Sequence, residues 1–488
     1  MRRLLLLASL TGLALAACGG TPKPKHPPGS DGPATDRVST SAQRERVAVT
    51  IYNQGFGLVR EVRDVDLAKG RVALEYRDVA EHVQPETVSL KSLDGADLLS
   101  VFEQNYRYDL LTPEKLLEKH IGKKVRLYRW NEAKGVEEGF DAKVLSVEGG
   151  IPVYELGGEI TYGFPGRVAF PDVPKDLLSK PTLVWLLGSG RDKQKLELTY
   201  LTSQMTWRCD YVMVIDDKDA SADLTGWVTL DNKSGVAFEN AQLRLVAGDV
   251  NKVAPAADAY DEGLDDEEKE YAKKDEGGFS EEAFFEYHLY TLGRPTTLLN
   301  REQKQATLLE SNGVAVKKKL IFSGASYWYR GKYGQVVTNQ KVSVFLDLEN
   351  SEKNKLGVPL PKGIVRVYKS DSSGARQFIG EDRIDHTPRD EKIRVKMGEA
   401  FDVVADRKQM SWKPLGSCTS ETEWETEIRN HKDTPIEVEL VEPVGGDWQV
   451  VQSSLPAKKQ DAHTFTFDAR VPARGKTTVT YRVQVRWC

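Results

Sequence analysis

Apolar and polar residues alternate along much of this 488-residue chain. Alternation with a period of two is the pattern of a β-strand with one buried face, and Gly, Asp or Pro between the runs marks turns. The pattern therefore predicts an all-β protein built from several antiparallel β-sandwich domains. Clear examples of such runs are "RVAVTIYNQG", "LVREVRDVDL", "RVALEYRD" and "ETVSLKSL".

One segment, "TPEKLLEKHIG", carries the signals of an α-helix. Thr112 is a suitable N-cap, Pro113 fits the first turn, and Gly122 marks the end. The short strands with glycine turns that follow are typical of a small curled barrel. We therefore predict that residues 46–172 form an N-terminal β domain with a small barrel-like part.

Two further sandwiches are predicted downstream. Strands spaced by roughly 8–12 residues indicate a central antiparallel sandwich over 173–400. It is interrupted by an acidic insert, 252–282, which is predicted to be disordered. Between Asp258 and Glu282 there are 12 acidic and 3 basic residues, a net charge of -9. From residue 401 to 488 the strands predict an immunoglobulin-like sandwich.

The N-terminus predicts export. Arg2 and Arg3 precede an apolar run that is too short to span a bilayer, which needs roughly 20 residues. Residues 1–17 therefore have the pattern of a signal peptide. In "LALAACGG" the small residues before Cys18 resemble the lipobox of bacterial lipoproteins, which implies cleavage before Cys18 and a diacylglyceryl thioether on its sulfur. The alternative is an ordinary signal peptide followed by a chance cysteine.

The segment 18–45 is rich in Pro, Gly, Ser and charged residues and is predicted to be a disordered tether. Gly19 after the cysteine favours the outer membrane over the inner one, by the sorting rule of enteric bacteria. We expect the folded part to face the periplasm, held at the membrane by the lipid on Cys18. A net charge of -5 gives no basic field for nucleic acid.

Three cysteines remain if lipid occupies Cys18. Cys418 precedes a strand-like run, and Cys488 follows the last one. The first and last strands of one small domain often lie close together, so we favour a Cys418–Cys488 disulfide. Cys209, in "LTSQMTWRCDYVMV", would then be free. Strand alternation places it on one face with Trp207 and Tyr211, which favours core packing over catalysis.

Ligand-binding candidates are few. In "GASYWYRGKYG" strand geometry would place Tyr327 and Tyr329 on one face, as a stacking platform for sugar or peptide, although a packed core is the favoured alternative. The acidic segment "IDDKDASAD" suits a solvated hairpin better than a calcium site. No histidines pair at ligand spacing, so we predict no metal site, no cofactor and no identified catalytic residue.

A longer match then appears in "YLTSQMTWRCDY", "DLTGWVTLDNKSG", "ENAQLRLVAGDVN" and "HLYTLGRPTTLLNREQKQATLLES". These segments resemble the bacterial family called domain of unknown function 4139. The same domain follows a coiled coil, absent from this chain, in proteins named for mucoidy inhibitor A. The resemblance covers 173–488 and implies no established activity.

Together these features predict an envelope lipoprotein that acts as a binding or assembly module. Its expected partners are the membrane, through Cys18, and an envelope protein or glycan. The alternative is a glycan-directed envelope hydrolase with a site formed between domains. Carboxylate pairs that only the fold brings together would carry that activity.

Overall fold

The computed structural model describes residues 32–109, 111–174, 177–178, 180–252 and 279–488. The signal peptide, Cys18 and most of the acidic insert lie outside these ranges. Nearly all regular elements in the described ranges are strands, which confirms the all-β prediction. The single α-helix there is α1 (Pro113–Lys119), and none of the described helices is long and apolar enough to cross a membrane.

The strands are numbered in chain order. The first are β1 (Thr35–Ser39), β2 (Arg44–Tyr52), β3 (Phe56–Asp66), β4 (Gly70–Arg77), β5 (Ser89–Ser92), β6 (Leu99–Arg107), β7 (Lys124–Asn131), β8 (Val136–Ser146), β9 (Val153–Leu156), β10 (Glu159–Tyr162), β11 (Arg167–Ala169), β12 (Thr182–Ser189), β13 (Lys193–Ser203), β14 (Met205–Ile215), β15 (Ser221–Asn232) and β16 (Phe238–Ala247). The others are β17 (Phe279–Phe284), β18 (Tyr287–Leu292), β19 (Thr296–Leu298), β20 (Glu302–Ala315), β21 (Lys317–Ser323), β22 (Gln335–Glu349), β23 (Gly363–Ser370), β24 (Arg376–Ile384), β25 (Lys392–Pro414), β26 (Thr419–Asn430), β27 (Ile436–Pro443), β28 (Asp447–Ser453), β29 (Lys458–Lys459), β30 (Thr464–Val471) and β31 (Lys476–Arg486).

The chain divides into two compact units, and the first comprises the chain up to Glu45, Val62–Val79 and Leu90–Leu198. It contains a four-stranded sheet in the order β1-β4-β12-β6 and a five-stranded sheet in the order β10-β9-β8-β7-β11. The five-stranded sheet is formed by the short strands that were predicted to make a small barrel-like part. Its order runs from one edge strand to the other, so among the described residues it is an open sheet and not a closed barrel.

The helix prediction is confirmed. The Thr112 hydroxyl oxygen accepts a hydrogen bond from the Lys115 N–H at 3.2 Å, which is the N-cap geometry, and Pro113 occupies the first turn. Leu117 packs from the helix against the core of the five-stranded sheet, around Val125 and Leu127. The tether prediction for 18–45 is wrong at its end, because β1 pairs in parallel with β4. An edge strand needs backbone hydrogen bonds and little apolar burial, so composition did not reveal it.

The second unit comprises Arg46–Glu61, Ala80–Ser89 and Thr199–Cys488. One of its sheets has the order β20-β15-β14-β23-β24. In β14 alternate residues from Trp207 to Ile215 are buried, as the alternation predicted. Another sheet places β16 between β18, which is antiparallel to it, and β2, which is parallel.

The remaining sheet of the second unit has nine strands, in the order β28-β31-β26-β25-β22-β21-β27-β30-β29. It folds over a shared core, so that Phe465 and Phe467 of β30 contact Tyr481 of β31, with ring centroids 5.6 and 5.0 Å apart. A sandwich of mostly antiparallel strands therefore forms the C-terminal part of the chain, and β21 and β27 are its parallel pair.

The predicted domain boundaries need correction. The boundary at 400/401 falls inside β25, and β21 and β22 also belong to the nine-stranded sheet. The boundary at 172/173 assigned β12 to the central sandwich, but β12 pairs with β4 and β6 in the first unit. Strand pairing joins residues that are distant in sequence, and alternation carries no information about the partner.

Candidate functional site

Cys209 lies in the core of the second unit and is only 2% exposed. Burial raises the pKa of its thiol to about 12, so it stays protonated at neutral pH. Its neighbour Tyr211 donates a hydrogen bond from its hydroxyl to the Pro361 carbonyl at 2.7 Å. Cys209 is therefore a packing residue, because a nucleophile needs a thiolate and solvent access.

Cys418 and Cys488 form a disulfide, with their Cα atoms 5.7 Å apart. The bridge joins the chain just before β26 to the chain just after β31, two strands that are antiparallel neighbours. The Trp487 N–H also donates to the Cys418 carbonyl at 2.9 Å. The two connections together hold the chain after β31 against the start of β26.

The prediction that Tyr327 and Tyr329 share an exposed face is wrong. Residues Ser326–Arg330 form a 3-10 helix, not a strand. A 3-10 helix has three residues per turn, so residues two apart point in different directions. Tyr327 is 56% exposed, whereas Tyr329 is completely buried and Trp328 nearly so.

The loop 324–334, here called the aromatic loop, joins β21 to β22 and is fixed to β25 through Gln409. The Gln409 side chain accepts a hydrogen bond from the Tyr333 N–H at 2.5 Å and donates one to the Gly331 carbonyl at 3.0 Å. The Gln409 backbone N–H donates to the Gly334 carbonyl at 3.0 Å. Three hydrogen bonds to one buried residue hold the outer half of the loop in place.

The inner half of the loop covers a buried ion pair. Arg407 of β25 and Glu442 of β27 are completely buried and contact each other twice, at 2.5 and 2.8 Å between nitrogen and oxygen. The Tyr329 hydroxyl donates to the Glu442 carboxylate at 2.8 Å. An Arg407 nitrogen also donates to the Tyr481 hydroxyl at 2.5 Å.

Aromatic rings complete the enclosure of Arg407. Its guanidinium carbon lies 4.8 Å from the ring centroid of Trp328 and 4.5 Å from that of Trp424. Burial is the largest influence on Arg407 and lowers its pKa, but Glu442, Tyr481 and Tyr329 together outweigh burial, so the guanidinium pKa is raised. Burial also raises the pKa of Tyr329 and Tyr481 well above the ordinary value, so both hydroxyls keep their protons. The cluster is closed to solvent and its two charges are paired with each other, which suits a fixed support for the aromatic loop better than a reaction centre.

On the solvent side of the Arg407–Glu442 pair lies a surface formed by five side chains. We call it the aromatic-loop surface, and it consists of Tyr327, Arg330, Lys332, Tyr333 and Trp487. The Tyr333 hydroxyl donates to the Tyr327 carbonyl at 3.3 Å, and the Arg330 guanidinium carbon lies 5.3 Å from the Trp487 ring centroid. Within the described ranges neither Arg330 nor Lys332 has a carboxylate partner, so both cations face solvent unpaired.

Neither Arg407 nor Glu442 was predicted from the sequence, although both positions carry a signal. Arg407 occupies the same alternation phase as the buried residues Val403 and Ala405, and Glu442 the same phase as Leu440. A charged residue in the apolar phase of a strand is rarely buried unless it is paired. Two such residues in separate strands therefore indicate a buried ion pair.

The acidic segment after β14 forms the connection of a β-hairpin, as predicted, because β14 and β15 are antiparallel neighbours. Asp216 accepts hydrogen bonds from the Ala220 and Ser221 N–H groups, and Asp219 pairs with Lys318 and Lys369. These carboxylates are occupied within the protein. Across the described part of the chain, no group of three or more His, Cys, Asp or Glu residues is arranged to hold a metal ion.

Comparison with known families matches residues 196–488 to the domain of unknown function DUF4139. This protein belongs to the DUF4139 family. The matched region begins in β13 and contains the aromatic loop, the buried ion pair, the disulfide and Cys209. A comparison with curated proteins gives no match. The aromatic-loop surface therefore lies within the DUF4139 region of the chain.

Proposed function

We propose that this chain is a lipoprotein of the bacterial cell envelope that binds a partner protein through the aromatic-loop surface. One observation carries the binding part of the proposal. Tyr327, Tyr333 and Arg330 lie on a loop that a buried ion pair holds from below, and the ring of Trp487, which follows β31, lies beside Arg330. Tyr, Trp and Arg are the residues most enriched among those that dominate protein–protein binding energies.

The rigidity of the loop matters as much as its composition. Association orders flexible side chains at a cost of about 0.5–1.5 kcal/mol each, and a surface fixed in advance avoids part of it. The hydrogen bonds that Gln409 and Tyr329 make order the aromatic loop. The unpaired cations Arg330 and Lys332 favour a partner with carboxylates at the contact.

The anchoring part of the proposal rests on the sequence before the folded region. Its support is the apolar run that ends in "LALAACGG", with Cys18 as the site of lipid attachment. The Cys418–Cys488 disulfide agrees with export, because disulfides persist in oxidising compartments. An outer-membrane anchor facing the periplasm would confine the aromatic-loop surface to the membrane and raise its effective concentration there.

The test is photo-crosslinking in living cells, with the capturing group placed at Lys332 and the captured species identified by mass spectrometry. The binding variant is Tyr327→Ala with Arg330→Ala. The matched control is Phe401→Ala with Lys341→Ala, which likewise removes one exposed ring and one exposed cation, with Nζ 4.9 Å from the ring centroid. A Cys18→Ala variant tests the anchor.

We expect one dominant envelope protein to be captured by the wild type and the control, and at least tenfold less by the binding variant. The purified partner should then bind the purified wild type and the control with similar affinity, and the binding variant more weakly. Equal capture by the binding variant would contradict the proposed surface. Capture of glycan in place of protein would favour the alternative, a glycan-directed hydrolase. Unchanged membrane fractionation of Cys18→Ala would contradict the lipid anchor.

A further inference from the structure

Trp487 lies just beyond the end of β31, where the strand no longer fixes its position. Its indole ring lies against Gly445 and Gly446. A Cβ atom added to Gly445 would come within 3.1 Å of the ring carbon Cζ3, and one added to Gly446 within 3.4 Å of Cε3. The two glycines thus leave the space that the indole occupies, in the turn between β27 and β28.

Arg330 depends on this ring for its orientation. Its guanidinium carbon is 5.3 Å from the Trp487 ring centroid, a distance at which the ring attracts the cation. Among the described residues Arg330 has no carboxylate partner, so the ring contact is the interaction that orients it. Contact with an aromatic ring leaves the N–H groups of a guanidinium available to bind a carboxylate at two points.

The disulfide comes directly after the indole. Cys488 follows Trp487 in sequence, and its bridge to Cys418 acts beside the hydrogen bond from the Trp487 N–H to the Cys418 carbonyl. We infer that the Cys418–Cys488 disulfide positions Trp487 against Arg330, which completes a carboxylate-binding spot in the aromatic-loop surface. The carboxylate as ligand rests on the proposed function, whereas the positioning of Trp487 and Arg330 does not.

A surface positioned in this way by a disulfide is sensitive to reduction. A thiolate of a dithiol reductant attacks one sulfur of the bridge, forms a mixed disulfide and releases the other protein sulfur, which takes up a proton. The second thiol of the reductant then displaces the protein cysteine, so the reductant leaves as its own disulfide and both Cys418 and Cys488 become thiols. Trp487 then keeps its backbone hydrogen bond and its contacts with the two glycines, with Arg330 and with the edge of the hydrophobic core, but loses the covalent connection beside it.

The first experiment is hydrogen exchange with mass spectrometry, which needs no partner. Dithiothreitol is the reductant, and the peptides of interest cover the aromatic loop and the end of β31. We expect reduction to speed exchange at least tenfold in the last peptide and several-fold in the outer half of the loop. Peptides in the core of β26 and β30 should keep their protection. Unchanged exchange in both peptides would overturn the inference.

Trp487→Ala provides a second test, because this variant keeps the disulfide and removes the ring. It should reproduce the faster exchange around Arg330 even if reduction unfolds the whole sandwich. The matched control is Trp130→Ala, which removes an exposed tryptophan of the first unit. If Trp487→Ala leaves exchange around Arg330 unchanged, Trp487 is not a positioning residue.

The crosslinking assay at Lys332 separates the inference from the proposed function. If a partner exists, Cys488→Ser and Trp487→Ala should lower its capture at least tenfold, while Trp130→Ala should not. Replacing Arg330 by Gln should lower capture without altering exchange at the end of β31. Altered exchange with no captured protein would uphold the positioning and contradict the binding function. Full capture by both Cys488→Ser and Trp487→Ala would overturn the role of the disulfide in binding.

Discussion

Arg407 and Glu442 form a two-point ion pair in the core of the nine-stranded sandwich, with nitrogen–oxygen distances of 2.5 and 2.8 Å and no exposure of either side chain. They come from β25 and β27, which are not neighbours in the sheet. Their hydrogen bonds with Tyr329 and Tyr481 connect a surface loop to the centre of the fold. Such a pair specifies one arrangement, because removal of either charge leaves the other buried and unpaired.

Breaking this pair should strongly destabilise the sandwich. We expect Glu442→Gln and Arg407→Met each to lower its free energy of unfolding by about 3–5 kcal/mol. The double variant Arg407→Met with Glu442→Gln should cost less than the sum of the two, because it leaves no unpaired charge. Hydrogen exchange of the slowest amides in β26 and β31 measures this free energy directly. Single variants within about 1 kcal/mol of the wild type would contradict the prediction.

A second prediction concerns two glycines of the aromatic loop. A Cβ added to Gly324 would collide with the Glu442 carboxylate and lie 3.0 Å from Nη1 of Arg407, whereas one added to Gly334 would meet nothing within 4 Å. We expect Gly324→Ala to destabilise the sandwich by about 1–3 kcal/mol, as overpacking does. Gly334→Ala is the matched control and should stay within about 0.5 kcal/mol. Urea titration followed by tryptophan fluorescence compares the two variants. Equal effects would contradict the close packing of the aromatic loop against the Arg407–Glu442 pair.

Cys209 should be chemically inert in the native protein. Its thiol pKa of about 12 predicts alkylation by iodoacetamide at pH 8 roughly 10³-fold slower than that of an ordinary thiol. The measurement uses a Cys18→Ala background and mass spectrometry of the labelled peptide. Arg208→Cys places a thiol on the exposed face of the same strand and is the matched control. Labelling of Cys209 at the rate of this control would show that the residue is accessible.

The half-buried His386 should make stability depend on pH. Its Nδ1 accepts the Lys362 N–H at 3.2 Å, which requires the neutral ring. Burial, and then the charge of Lys362, lower its pKa from the ordinary value of 6.5. The unfolded chain therefore binds the proton more readily, so the contribution of His386 to stability is full above about pH 6.5 and is lost as the pH falls below it.

The measurement is the urea midpoint at pH 7.5 and at pH 5.5. His386→Gln should show a smaller loss of stability between these two pH values than the wild type. His463→Gln removes an exposed histidine and serves as the control. If His386→Gln loses as much stability on acidification as the wild type, the hydrogen bond from Lys362 is not the cause of the pH dependence.

Local features of the fold were predictable because they depend on neighbours in sequence. Thr112 and Pro113 specify the start of α1 through capping, and the alternation from Trp207 to Ile215 identifies the buried face of β14. Each of these signals is complete within about a dozen residues, so no long-range contact was needed to interpret it.

The conformation of the aromatic loop could not be predicted from neighbours in sequence. Strand geometry grouped Tyr327 with Tyr329, but the buried pair Arg407–Glu442 offers Tyr329 a hydrogen-bond partner more than 100 residues away in sequence. A 3-10 turn lets Tyr329 reach that partner while Tyr327 remains in solvent. The binding candidate therefore changed from a pair of tyrosines on one face to a surface that includes Arg330 and Trp487.

The sequence by itself determined the strand-rich class of the protein, the buried phase of its strands and the start of α1, because side-chain periodicity and capping are local properties. Only the tertiary structure decided which strands pair, where the sandwiches begin and which polar residues meet in the core. Strand pairing and ion pairing depend on contacts between distant segments, and alternation looks the same whichever partner a strand has. Trp487 lies beside Arg330 for the same reason, because the sheet brings the end of β31 close to the loop that follows β21.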